Sequence, residues 1–182
     1  MKNNIIILLT CMIIQIGLYA QNAFTLASDN LGGNATKTEE FSGFGCSGLN
    51  QSPQLSWSNA PEGTKSFAIT MYDPDAPTGS GWWHWLVTDI PADVSELKEG
   101  AGKVDAELMP KGAVQSVTDY GTKGYGGPCP PKGHGLHQYI ITVHALKVES
   151  LGLTEDTNAA IVGYNIGANT IGKASIVSYY QR

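Results

Sequence analysis

Residues 66–90, "SFAITMYDPDAPTGSGWWHWLVTDI", decide the fold. "SFAITMY" (66–72) is an almost unbroken apolar run and reads as a buried strand that stops at Asp73–Pro74. "WHWLVTDI" (83–90) reads as a second strand. Between them lies "DPDAPTGSG", where two carboxylates are pinned by prolines and followed by a glycine-rich turn. The tight loop marks Ala76–Pro77 as a candidate cis bond.

Further strand signals lie at "AFTLAS" (23–28), "PQLSWS" (53–58), "AVQSVT" (113–118), "LHQYIITVHAL" (136–146) and "ASIVSYY" (174–180). Residues 29–53, rich in Gly, Asn and Ser, read as loop. One helix is expected at "NAAIVGYNIGANT", capped by Asp156 or Thr157, with Ile161, Val162 and Ile166 near one face. Gly163 and Gly167 each weaken it by about 1 kcal/mol relative to alanine. Short strands with Gly/Pro turns and little helix predict an all-β sandwich with a minor helix.

The chain has 182 residues and a net charge of −5, with no Lys/Arg run. That argues against general nucleic-acid or anionic-membrane binding. Residues 1–20 combine Lys2, the apolar run "IIILLTCMIIQIGL" and "LYA" before Gln21, and read as a secretory signal peptide cleaved near Ala20. A single membrane anchor is the rival, but the run is short for a span and lacks a stop-transfer flank. Thr10 is a poor residue before a lipidated Cys11. The mature domain, 23–182, is then expected to be exported, periplasmic or secreted, with no membrane span. Cleavage leaves Cys46 and Cys129, both in Gly/Pro-rich loops. An even pair in an oxidising compartment is a disulfide candidate; the alternative is two buried free thiols.

Strand alternation places His84, Leu86 and Thr88 on one face of their strand and Trp83, Trp85 and Val87 on the other. It pairs His137 with Tyr139 and excludes His144. Asp73 ends its own strand. Three strand ends thus offer a carboxylate, two imidazoles and a phenol. With glycine-loop N–H groups these suit an anion such as a phosphate ester. The carboxylate is expected to raise the histidine pKa values, so affinity should fall as pH rises through 6 to 7. Tryptophans would wall the mouth. Taken singly, each residue has a plainer reading: a turn aspartate, a structural histidine, core tryptophans.

"YDPDAPTGSGWWHWLVTDIP" (72–91) and "YGGPCPPKGHGLHQYIITVHAL" (125–146) together resemble the phosphatidylethanolamine-binding protein family, and most its bacterial Raf-kinase-inhibitor-like branch. "SPQLSW" and "KGAVQSVTDYG" are weaker matches. The resemblance implies a sandwich of a large and a smaller antiparallel sheet with a C-terminal helix. It also implies a small anion cavity, carried here by Asp73, Asp75, Trp82, His84, Pro130, His137 and Tyr139. Gln138 replaces the family's usual arginine and by alternation faces away from the pocket. The leading expectation is a binding protein for phosphorylated ligands or phospholipid head groups, without cofactor or metal. The alternatives are a protein inhibitor of a protease or kinase, and a metal-assisted or acid/base hydrolase.

Overall fold

In the computed structural model, which describes residues 23–182, the stretch 66–90 forms two neighbouring antiparallel strands. The leader reading over 1–20 and Cys11 lie outside the described residues. In chain order the strands are β1 (Thr25–Ala27), β2 (Ser42–Gly43), β3 (Cys46–Ser47), β4 (Leu55–Ser58), β5 (Ser66–Asp73), β6 (Trp82–Pro91), β7 (Glu96–Leu97), β8 (Val114–Gln115), β9 (His137–Leu146) and β10 (Thr170–Tyr180). One α-helix, α1 (Ala159–Asn169), precedes β10. The large sheet runs β10-β9-β5-β6-β8 and the small one β1-β4-β7, all pairs antiparallel. The all-β sandwich with a minor helix is therefore observed. The segment read as loop, 29–53, also folds a small hairpin, β2-β3.

Burial explains the run that opens the stretch. β5 is the central strand, and Phe67, Ile69 and Met71 face the small sheet, where Leu26, Leu55, Trp57 and Leu97 meet them. Its other face gives Ala68 to a second cluster with Leu86, Leu146, Val162 and Ile166 under α1. A strand covered on both faces reads as continuous apolar sequence rather than alternation. Each fully buried large side chain contributes roughly 1.5–3 kcal/mol.

The face assignment in β6 needs correction. The register against β5 skips one residue between Met71↔Trp85 and Tyr72↔Trp83, leaving His84 as the extra residue of a β-bulge. Parity is lost there. Trp83 packs beside Leu86 on the helix side, whereas Trp85 and Val87 enter the core between the sheets. His84 therefore does not share a face with Leu86. Gly163 accepts the displaced indole: a Cβ there would lie 3.1 Å from Trp83.

Two smaller expectations also change. Asn158, not Asp156 or Thr157, caps α1, its Oδ1 accepting the Ala160 N–H at 2.9 Å. Thr157 is occupied one turn earlier, where its hydroxyl accepts the Thr154 N–H at 3.0 Å. Val162 and Ile166 are buried, but Ile161 is exposed. The Ala76–Pro77 bond is trans.

Cys46 and Cys129 form a disulfide across 83 residues, tying β3 to the loop before β9. Chain-entropy treatment gives about 4–5 kcal/mol for such a closure. Reduction should lower the melting temperature by about 8–20 °C at about 2–4 °C per kcal/mol, measured by calorimetry with and without reductant. An unchanged melting temperature would show that the bridge adds no stability.

Candidate functional site

The β5–β9 ladder ends at Tyr72↔Ile140. Beyond it the two strands are joined by side chains. Asp73, 3% exposed, accepts a hydrogen bond from His137 Nδ1 on Oδ2 at 2.7 Å. Its Oδ1 accepts the Asp75 N–H at 2.8 Å, which closes the Asp-Pro-Asp turn. Asp75 in turn takes the Gln138 N–H on Oδ2 at 2.9 Å. Two carboxylates from one turn thus fix the start of β9.

In the opening beside this latch lies a cavity of about 190 Å³. Asp73, Trp82, His84, Pro130, His137 and Tyr139 all line it. The geometry brings together six of the seven residues singled out from sequence. Asp75 is not among the lining residues; it is exposed and holds the Gln138 backbone instead. His144 lies away from the cavity, its ring between the hydroxyls of Thr70 and Thr170.

His84 is almost fully buried, and its Nδ1 lies 2.7 Å from the Gly126 carbonyl oxygen. A carbonyl only accepts, so Nδ1 carries the proton and Nε2 keeps its lone pair in the neutral ring. Burial pushes the His84 pKa down from 6.5 to about 4, outweighing the bond to Gly126 and the charge on Asp73. The expectation that the carboxylate would favour a charged ring fails at this histidine: desolvation wins. Burial likewise raises the pKa of Tyr139 and Tyr120, so both phenols stay protonated.

Tyr139 is fully buried, and its hydroxyl has no hydrogen-bond partner. Trp82 Nε1 is also unpartnered. A buried, unsatisfied hydroxyl costs about 1–3 kcal/mol, and both groups belong to side chains of the cavity lining. Three aromatic contacts hold the walls. Trp82 and Tyr120 meet edge-on at 5.4 Å, His84 and Tyr139 at 5.0 Å, and Phe41 stacks on Tyr120 at 4.1 Å.

Several lining residues escaped the sequence reading. Tyr120 and Phe44 come from loops distant in the chain, and Thr78 extends the recognised Asp-Pro-Asp loop. Tyr120 donates to the Gly127 carbonyl at 2.8 Å, which turns its ring toward Trp82. The only sequence signal for it was the weakly matching "TDYG". Gly126 and Gly127 are required by close approach: a Cβ would sit 2.3 Å from the Tyr120 ring at the first and 1.7 Å from Glu39 O at the second.

Since His84 binds its proton less readily folded than unfolded, its contribution to stability is complete above about pH 6.5. That contribution is lost as pH falls toward 4. It amounts to about 3 kcal/mol. Guanidinium unfolding should show this loss between pH 6.5 and 4, and His84→Asn, which keeps a donor for Gly126 but does not titrate, should flatten it. An equally steep profile in the variant would assign the loss to other groups, His144 first, whose pKa burial also lowers to about 4.

Residues 32–181 match the family described as "Phosphatidylethanolamine-binding protein". The UPF0098 protein YbcL of Escherichia coli is 51% identical over 161 residues, covering 87% of this chain and 88% of YbcL. Its crystal structure, described as a new member of the mammalian PEBP family, superposes with a TM-score of 0.85 and covers 87% of this chain and 98% of that one. A putative lipoprotein of Mycobacterium tuberculosis, LppC, is 32% identical over 162 residues, covering 89% of this chain and 74% of its own.

Proposed function

Because the chain belongs to the phosphatidylethanolamine-binding protein family, we propose that it is an exported binding protein whose cavity takes a phosphate monoester or the phosphorylated head group of a lipid. The observation that carries this reading is the Tyr139 hydroxyl, buried and without a partner in a residue that lines the cavity. A phosphoryl oxygen is the strong acceptor it lacks. The cavity, about 190 Å³, suits a head group rather than acyl chains. The disulfide supports an oxidising compartment, in keeping with the leader reading and with a relative described as a putative lipoprotein. Among the described residues, no helix is long and apolar enough to cross a membrane.

The donors and acceptors set the protonation of the ligand. Tyr139 donates. Neutral His84 keeps Nε2 as an acceptor and needs a proton from its guest. A singly protonated phosphate ester meets both: one oxygen accepts from Tyr139 and the P–OH donates to His84. The Asp73 carboxyl stands in hydrogen-bond contact with the imidazole of His137. The aromatic mouth of Trp82, Tyr120 and Phe44 can receive an ammonium group.

Binding rather than catalysis fits the groups at hand. The Cys129 sulfur is committed to the disulfide. The Thr78 hydroxyl donates to the Gly81 carbonyl.

Titration calorimetry with O-phosphorylethanolamine tests this reading. Affinity should fall up to tenfold per pH unit above the second phosphate pKa, about 6, as the P–OH is lost. Tyr139→Phe should weaken binding about tenfold or more, the worth of a hydrogen bond to a charged acceptor. Its melting temperature should not fall, because the variant removes an orphaned polar group. Binding independent of pH, or untouched by Tyr139→Phe, would defeat the reading.

A further inference from the structure

The loop "PPKGHGLH" (130–137) carries a further histidine beside the site. His134 Nδ1 lies 2.7 Å from His137 Nε2, with the rings 5.0 Å apart. His137 is thus bonded on both edges, to Asp73 through Nδ1 and to His134 through Nε2.

The second bond adapts to either protonation state. Nδ1 of His137 carries its proton toward the Asp73 carboxylate. When His137 is an imidazolium, Nε2–H donates to His134 Nδ1. When His137 is neutral, Nε2 has only a lone pair, and His134 must donate from Nδ1–H. In both cases His134 occupies the one edge of His137 left for a guest.

His134 is built to leave without unfolding the loop. The residue is exposed. Gly133 and Gly135 flank it at φ +75° and +100°, and a Cβ at either would meet nothing within 4 Å. Their role is therefore conformational: they hold the turn that aims His134 inward. The turn's backbone is tied, Gly133 N–H to the Arg182 carbonyl at 3.0 Å and His134 N–H to the Pro131 carbonyl at 3.1 Å. Releasing the His134–His137 bond takes only a side-chain rotation into water.

We propose that His134 is an internal competitor for the ligand-facing edge of His137, so that a phosphoryl ligand engages this histidine by displacing His134. The inference rests on the phosphoryl-pocket reading above. Energetics favour the exchange. The bond between the imidazoles holds at most one charged partner, whereas an imidazolium–phosphoryl pair joins two opposite charges and is the stronger bond. The cost of displacement belongs to the protein and not to the guest. His134 therefore weakens every ligand that uses this edge by the same factor, the inverse of the fraction of molecules with the edge free.

The test is calorimetry on the full chain with two probes, O-phosphorylethanolamine and inorganic phosphate. His134→Ala should tighten both by about fivefold, the equivalent of one such hydrogen bond, and by the same factor within error. His134→Asn, whose amide reaches the position of Nδ1, should return both affinities to within about twofold of the parent. In ligand-free protein, nitrogen-15 spectra should show the His137 ring resonances shift in His134→Ala and return toward the parent in His134→Asn. Unchanged or weakened binding in His134→Ala would overturn the proposal, as would a gain for one probe alone, which would mark His134 as a contact of that probe. Unmoved His137 resonances would overturn it too. If His137→Ala abolishes binding while His134→Ala changes nothing, the competitor role falls and the pocket stands. If no variant, and not the parent, binds either probe, the pocket reading falls and the competitor role with it.

Discussion

The site depends on one buried pair. Asp73 lies one residue and His137 three residues past the last rung of the ladder between their adjacent strands, and their side chains meet where backbone pairing stops. A carboxylate taken out of water costs several kcal/mol unless its oxygens are satisfied. Here one oxygen takes an imidazole N–H and the other a backbone N–H of its own turn. The strand ends are thus joined through a polar group that needs partners, and a cavity opens beside it. An apolar pair at these positions would continue the sandwich core and close it.

Sequence patterning made the strands legible for the same reason that it misread one face. β5 is covered on both sides, and such a strand advertises itself as an apolar run. Alternation assumes a strict period of two. It holds along β9, where His137 and Tyr139 share the cavity and His144 is turned away. It fails in β6, where His84 is the bulge and the tryptophans on either side of it part company. No local signal distinguishes that extra residue, because a tryptophan flanks it on either side. Trp82 lies before the slip and His84 is the slipped residue itself, and both still line the cavity. The loop residues Phe44 and Tyr120 follow no period at all, and only the fold brings them to the site.

The rim explains the unusual loop chemistry. The segments 39–46 and 125–131 approach so closely that glycine is the only fit at Gly127. Asn50 reads both edges of that loop, accepting the Gly127 N–H at 2.8 Å and donating to the Tyr125 carbonyl at 3.0 Å. The disulfide ties the same two segments covalently. Arg182 adds a third tie, donating from Nη1 to the Gly45 carbonyl at 2.6 Å and from Nε to the Pro130 carbonyl at 3.1 Å. Loops are ordinarily the soft part of a sandwich. Here they carry the walls of the cavity, and each wall is fixed by a bond that loop mobility would break.

Electrostatics then decide what such a rigid hollow can accept. A chain with a net charge of −5 and a carboxylate in the pocket is a poor trap for anions at long range. Attraction must come from contact: the Tyr139 hydroxyl, the indole N–H of Trp82 and whatever proton His137 presents beside Asp73. His84 works in the opposite sense. Its neutral ring adds no positive charge and asks for a donor, which a fully ionised phosphate lacks. On the proposed reading the pocket is therefore matched to an anion that still carries one proton. Burial of His84 imposes that requirement more than the nearby charges do, because the same desolvation that empties the ring of charge leaves its lone pair the acceptor that a guest has to satisfy.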